Sequence, residues 1–544
     1  MFQNQCEGLK AFFEPLGFLN IFFDISCGFV VLFNDPFALI FVALAALVGI
    51  VFGALPGLTA AAAIAMMLPI LIAYNDQIGG LAGLAFLYVI GKSGRYGGSI
   101  AAILFNTPGT AASAATMQDG YPMTKQGKAG KALKTATVAS VFGDYFGEIV
   151  LIFGAVTVAA FTRQFGPPEN FAIYLMAFVV IGSVVSDSII KGVLSTLFGA
   201  LVGLIGEDII TGQFKMTMGI SELESGMALV PLLIGVFVIS EVIIQAEKVA
   251  KVAIIDTSPK SVDDPEAHYF TWAEFKRCLP LMFRSSFYGS LIGMMPGLGS
   301  SVACFVAYGE EKRRSKVKEK WGTGIVEGIA APESANNAVS GPSMIPLLSL
   351  GIPGSTIAAV LIGMFLVNGL QPGPTIFATE PPLFMGGQLI SPREFIFAVF
   401  AAGLIGIAAY GFIGYFAAPL VGRLISLLPT QYLYPFIFMT ALAASYSSRA
   451  SIWDVAFALF FGIVGYVMRR TNFSAAAFII AFVLTASMEE AFRQSMIISD
   501  KGFFVFTSFE YGGKFSYAPV FLMLGAAVVI FRTISSIRAR KETL

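Results

Sequence analysis

Tyr96 to Pro122 reads YGGSIAAILFNTPGTAASAATMQDGYP, and the fold turns on how this stretch is read. It opens apolar enough for a membrane, yet Asn106 to Thr110 set a proline and a glycine among three polar side chains. Pro108 removes a backbone donor and Gly109 loosens the chain, so nearby carbonyls and amides lose their helical partners. In hydrocarbon such groups have to be buried in protein or turned toward a ligand. The stretch therefore predicts a broken membrane helix. Ser349 to Pro374, SLGIPGSTIAAVLIGMFLVNGLQPGP, repeats the pattern around Pro353-Gly354. Two matching breaks in two halves point to a transporter.

The rest of the chain agrees with a membrane setting. Of its 544 residues 56% are hydrophobic and only 12% charged, and the mean hydropathy is +0.79, which predicts an all-α polytopic membrane protein. At about 20 residues per span the length allows roughly 10 to 14 crossings. Lys+Arg and Asp+Glu both total 34, a balance that gives no reason to expect nucleic acid as a partner. The N-terminus lacks the basic region and small-residue cleavage site of a signal peptide, so the first apolar segment is expected to persist. Cys6, Cys27, Cys278 and Cys304 are scattered without CxxC spacing, and inert thiols are expected rather than a metal site or a disulfide framework.

In order along the chain, residues 1–35 form an aromatic segment that lies in the interface or crosses it. Residues 36–247 read as a first transmembrane repeat, 248–280 as a polar linker, 281–531 as a second repeat and 532–544 as a basic cytoplasmic tail. Pro56-Gly57 returns as Pro296-Gly297, Pro108-Gly109 as Pro353-Gly354, and FGALVG at Phe198 as FGIVG at Phe461. Order is kept in all three pairs. Basic residues gather in cytoplasmic loops, and equivalent loops carry opposite charge. Asp76 stands against the Lys312 to Lys320 cluster, Lys125 to Lys134 against a stretch from Gln371 to Ser391 with no Lys or Arg, and Glu207-Asp208 against Arg469-Arg470. The prediction is two inverted structural repeats with broken or re-entrant helices, one re-entrant tip being Pro296-Gly297.

No catalytic set accompanies the breaks. The single histidine, His268, lies in the linker, which excludes His-based triads and HExxH zinc sites within the membrane. Freed carbonyls with Asn and Thr oxygens suit Na⁺, and helix N-termini with hydroxyl donors suit carboxylates. The expected substrate contacts are Asn106, Thr107, Gly109 and Thr110 in one half, and Asn336, Asn337, Gly354, Ser355 and Thr356 in the other. If the two breaks meet at midplane, Thr107 and Ser355 touch one anion. Asp144 and Glu148 share a helix face, and with Glu333 they are candidates for cation coupling; packing and a proton or cation site stay open for the first two. Lys92 and Arg95 either snorkel to the interface or pair with an anionic substrate or Glu333. No metal or organic cofactor is expected, only Na⁺ or H⁺ as coupling ion. A membrane-embedded enzyme and a channel stand as rivals using the same polar breaks.

GALPGLT, YGGSIAAILFNTPGT with its DGYP ending, GMMPGLG, EGIAAPESANNA and PLLSLGIPGS together resemble the large membrane subunit of the tripartite tricarboxylate transporter family, from about Gly49 onward. Lys92 and Arg95 depart from the more neutral form of that segment. The resemblance implies a multi-pass protein of the bacterial inner membrane that imports organic carboxylates on a cation gradient. It also implies two partners, a small four-span membrane subunit and a periplasmic substrate-binding protein that delivers the ligand.

Overall fold

The computed structural model describes residues 20–55, 58–184, 188–208, 211–249, 268–385, 388–427 and 430–542. The Pro56-Gly57 pair and most of the polar linker lie outside these residues. Among them, six helices are long and apolar enough to cross a membrane: Pro36–Ala54, Ala129–Thr162, Leu229–Glu247, Pro392–Ala418, Ile452–Arg470 and Ala475–Ile498. Shorter apolar helices include Ala60–Ala73, Ile189–Gly203 and Thr356–Val367. Their side chains are sorted for lipid. On Pro36–Ala54 the large residues Phe37, Ile40, Leu44 and Leu47 face outward, while Ala38, Val42, Ala45, Ala46 and Gly49 are buried. Lipid tails are as apolar as leucine, so burial there is driven by close packing and small residues take the inner face.

Two helices form the centre. Gly80–Phe105 is buried from Gly80 to Ile103, and Val326–Ala338 is buried from Gly328 to its end. The halves wrap one another reciprocally: Ala129–Thr162 of the first lies on Val326–Ala338 of the second, and Pro392–Leu427 of the second lies on Gly80–Phe105 of the first. Farther out, Ile189–Gly203 packs on Ala475–Ile498, and Ile452–Arg470 packs on Ile234–Ile239. That last segment is a π-helical insert in the Leu229–Glu247 span. The wider turn of such an insert disturbs the regular backbone pairing, and the Phe237 carbonyl accepts from Arg469 Nη2 at 3.4 Å.

Both breaks are resolved as turns between helices. Gly80–Phe105 ends at Asn106, whose φ of 55° is left-handed, a conformation that asparagine tolerates better than most residues. The next helix, Ser113–Lys125, follows Thr110, whose Oγ1 accepts from the Ser113 amide at 3.2 Å while its own amide donates to Ser113 Oγ at 3.1 Å. In the second half Ile345–Leu350 stops at Gly351, φ 74°. Ser355 then caps Thr356–Val367 by accepting from the Ala358 amide at 3.2 Å. The Pro296-Gly297 tip joins Trp272–Gly293 to Gly299–Arg314, and the Gly297 amide donates to the Gly354 carbonyl at 3.2 Å. One expectation needs correction. Cys27 is disulfide-bonded, because the fold, not sequence spacing, decides which thiols meet; Cys278 and Cys304 are free and buried.

Candidate functional site

A cavity of about 380 Å³ lies between the breaks. Its wall is made from the first turns of four helices: Thr59 to Ala61 opening Ala60–Ala73, Gly299 to Ser301 opening Gly299–Arg314, Ser355 to Ile357 opening Thr356–Val367, and Ala476 opening Ala475–Ile498. Helix N-termini leave amides without intrahelical partners and carry the positive end of the helix dipole. Arg95 and Arg469 also line it, together with Thr110 and the apolar Phe237, Val339 and Ile480. Arg469 is already paired with Glu241. Arg95 is not. It is buried, its Nε has no hydrogen-bond partner, and among the described residues it forms no salt bridge. Helix N-termini beside a guanidinium suit an anion.

Four of the sequence-predicted contacts meet here: Thr110, Gly354, Ser355 and Thr356 all line the cavity. Gly109 does not line it; it is buried, its amide donating to the Gly98 carbonyl at 3.3 Å. Asn106 and Thr107 are exposed and lie outside the lining. The left-handed turn at Asn106 carries them outward, and the chain comes back only at Gly109. Asn336 and Asn337 are buried in Val326–Ala338; their amide nitrogens donate to the carbonyls of Arg95 at 3.5 Å and Glu333 at 3.1 Å, and their side-chain oxygens have no partner. Arg469, Thr59, Ser300 and Ser301 were missed. The signal for the last three was present, since Thr59 follows Pro56-Gly57 and Ser300 and Ser301 follow Pro296-Gly297, and Arg469 reaches the cavity only through tertiary packing.

The three candidate acids fall into two arrangements. Asp144 and Glu148 sit on Ala129–Thr162 with Lys92 between them, Nζ being 2.7 Å from each carboxylate and all three side chains fully buried. Tyr88 donates to Glu148 at 2.8 Å and Tyr410 to Asp144 at 3.2 Å. Lys92 thus neither snorkels nor meets Glu333; it is a counter-ion to the acid pair. Glu333 is fully buried and is met only by hydroxyls: Ser99 donates to Oε1 at 2.5 Å, Thr116 donates to the same oxygen, and Ser140 donates to Oε2 at 2.8 Å. Each hydroxyl comes from a different helix. Close approach of Ala129–Thr162 makes this possible, since a Cβ on Gly143 would stand 2.1 Å from the Ser334 carbonyl.

Residues 39–480 match the family described as the tripartite tricarboxylate transporter TctA family. Among curated proteins, the "Uncharacterized 52.8 kDa protein in TAR-I ttuC' 3'region" of Agrobacterium vitis is 33% identical over 528 residues, covering 96% of this chain and 98% of that one. The "Uncharacterized protein in TAR-II ttuC' 3'region" of the same organism is 35% identical over 256 residues, 47% of this chain and 97% of the relative. No solved structure matches.

Proposed function

The chain belongs to the tripartite tricarboxylate transporter TctA family, and from that premise we propose that it is the large permease subunit of a binding-protein-dependent importer of organic carboxylates, coupled to a cation gradient. One observation carries the choice of substrate class: four helix N-termini and the unpaired Arg95 guanidinium converge on a single cavity between the two breaks. Each feature favours negative charge, and a carboxylate takes a guanidinium bidentately. Thr110, Ser355 and Thr356 supply hydroxyl donors beside it. Glu333 is the coupling residue in this reading, whereas Asp144 and Glu148 are structural, bridged by the Lys92 ammonium between them.

The inverted-repeat reading is supported by the reciprocal packing of the halves, in which each half lays its long helix on the buried helix of the other. Such repeats move by alternating access around a fixed site. A small four-span membrane subunit and a periplasmic binding protein complete the proposed assembly, in the bacterial inner membrane. The test is uptake of radiolabelled di- and tricarboxylates by cells expressing this chain with both partners. Saturable, gradient-dependent uptake is expected. Arg95→Gln should weaken apparent affinity at least tenfold, about 1.4 kcal/mol, because a buried carboxylate loses its charge partner. Unchanged affinity in an Arg95→Gln protein that accumulates normally would remove the cavity from the mechanism, and full uptake by this chain alone would remove the partners.

A further inference from the structure

Four helices direct oxygen atoms at one buried point. Glu333 of Val326–Ala338 meets Ser99 of Gly80–Phe105, Thr116 of Ser113–Lys125 and Ser140 of Ala129–Thr162, and among the described residues no Lys or Arg pairs with it. A single ionised carboxylate in hydrocarbon requires a compensating charge. A proton needs one acceptor, and three hydroxyls from three helices oversupply it. An all-oxygen set of two carboxylate atoms and three hydroxyls suits a hard metal ion. The charge selects among such ions. One carboxylate balances a monovalent cation, whereas a divalent ion would leave positive charge buried. A second observation points the same way: the side-chain oxygens of Asn336 and Asn337, buried on the same helix within about one turn of Glu333, have no partner and add to the oxygen supply.

We propose that Glu333, Ser99, Thr116 and Ser140 form a Na⁺ site. Its place in the chain gives it a task beyond charge balance. Ser99 precedes the first break and Thr116 follows it, so an ion held on Glu333 Oε1 fastens both arms of the broken helix and fixes the loop that carries Thr110 into the cavity. Arg95 lies one turn before Ser99, and its carbonyl accepts from Asn336 on the Glu333 helix. Ion and carboxylate would thus order the same segment, each favouring the other. This role in coupling rests on the transport reading; the existence of the ion site does not.

The experiment accordingly uses ion binding and no transport. Thermal unfolding of the purified full-length chain in detergent is followed while NaCl replaces choline chloride at constant ionic strength and pH. A saturable rise in Tm with Na⁺ is expected, since a ligand that binds only the folded state stabilises it. Glu333→Gln should abolish that rise. Thr116→Val and Ser140→Ala, which keep the carboxylate, should each raise the Na⁺ midpoint roughly tenfold, while Ser285→Ala, a buried hydroxyl elsewhere, should leave it in place. If Glu333→Gln does not accumulate, the two hydroxyl variants decide. The proposal is overturned if the wild-type Tm follows pH but not Na⁺, or if the Na⁺-dependent rise survives unchanged in Glu333→Gln or in both hydroxyl variants. Loss of uptake in the separate Arg95 experiment has no bearing on this outcome.

Discussion

Buried carboxylates flank one turn of Gly80–Phe105 on both sides, and they are partnered in opposite ways. Before the turn, Asp144 and Glu148 share the ammonium of Lys92 and the hydroxyls of Tyr88 and Tyr410. After it, Glu333 has hydroxyls alone. A counter-ion built into the chain suits the first group to a framework role. A carboxylate that must borrow its positive charge from solution can respond to an ion gradient. Burial and acidity alone therefore do not mark a coupling site; in the reading proposed above, Glu333 is set apart because no tethered cation meets it.

The largest expected effect tests the framework side. Lys92→Met strands two carboxylates in the membrane interior, and removing one partner of a buried pair costs about 3 to 5 kcal/mol. Yield and thermal stability in detergent should collapse. The triple variant Lys92→Met, Asp144→Asn, Glu148→Gln should recover most of that loss, because replacing a whole ionic group by neutral residues is often close to neutral. A Lys92→Met protein that melts like wild type would mean that the two groups do not differ as described. Next in size is Tyr88→Phe, which removes a hydrogen bond to a charged acceptor worth about 1.5 to 3 kcal/mol. It should lower stability while leaving the Na⁺ dependence of uptake where it was. A shifted Na⁺ dependence would move ion coupling into the Lys92 group.

The smallest effect concerns the cavity that the turn between the two groups faces. Thr110 and Ser355 reach it from opposite breaks, so Thr110→Val and Ser355→Ala should each weaken carboxylate affinity. In the double variant the losses should depart from additivity by about 0.5 kcal/mol or more, as for residues sharing one ligand. Strict additivity, with protein levels unchanged, would place the two hydroxyls on separate tasks.

Helix positions are legible in the sequence because an apolar run of span length has little use outside a bilayer. The apolar runs that follow Pro392 and Ser474 in the sequence are the observed helices Pro392–Ala418 and Ala475–Ile498. The breaks are legible because Pro-Gly in a membrane helix demands a partner for freed backbone groups. What cannot be read is the register after each break. Asn106 turns the chain by a left-handed step, and that step decides that Thr110, not Thr107, faces the cavity opposite Ser355. The fate of Lys92 and Arg95 is equally hidden. A helical wheel places a cation on a face, but only the packing of Ala129–Thr162 and of the four helix starts shows that Lys92 pairs with two acids and that Arg95 forms no salt bridge among the described residues.

Gly80–Phe105 is the most enclosed of the long helices, yet it carries Lys92 and Arg95 and is not among the six that are apolar enough to cross by themselves. A lysine or arginine at the centre of a lone helix costs about 2.5 to 3.5 kcal/mol on insertion. During synthesis this helix emerges before Ala129–Thr162, which carries its acidic partners. Its commitment to the bilayer consequently depends on a segment the ribosome has yet to make, so the centre of the molecule is completed after its surroundings have begun to assemble.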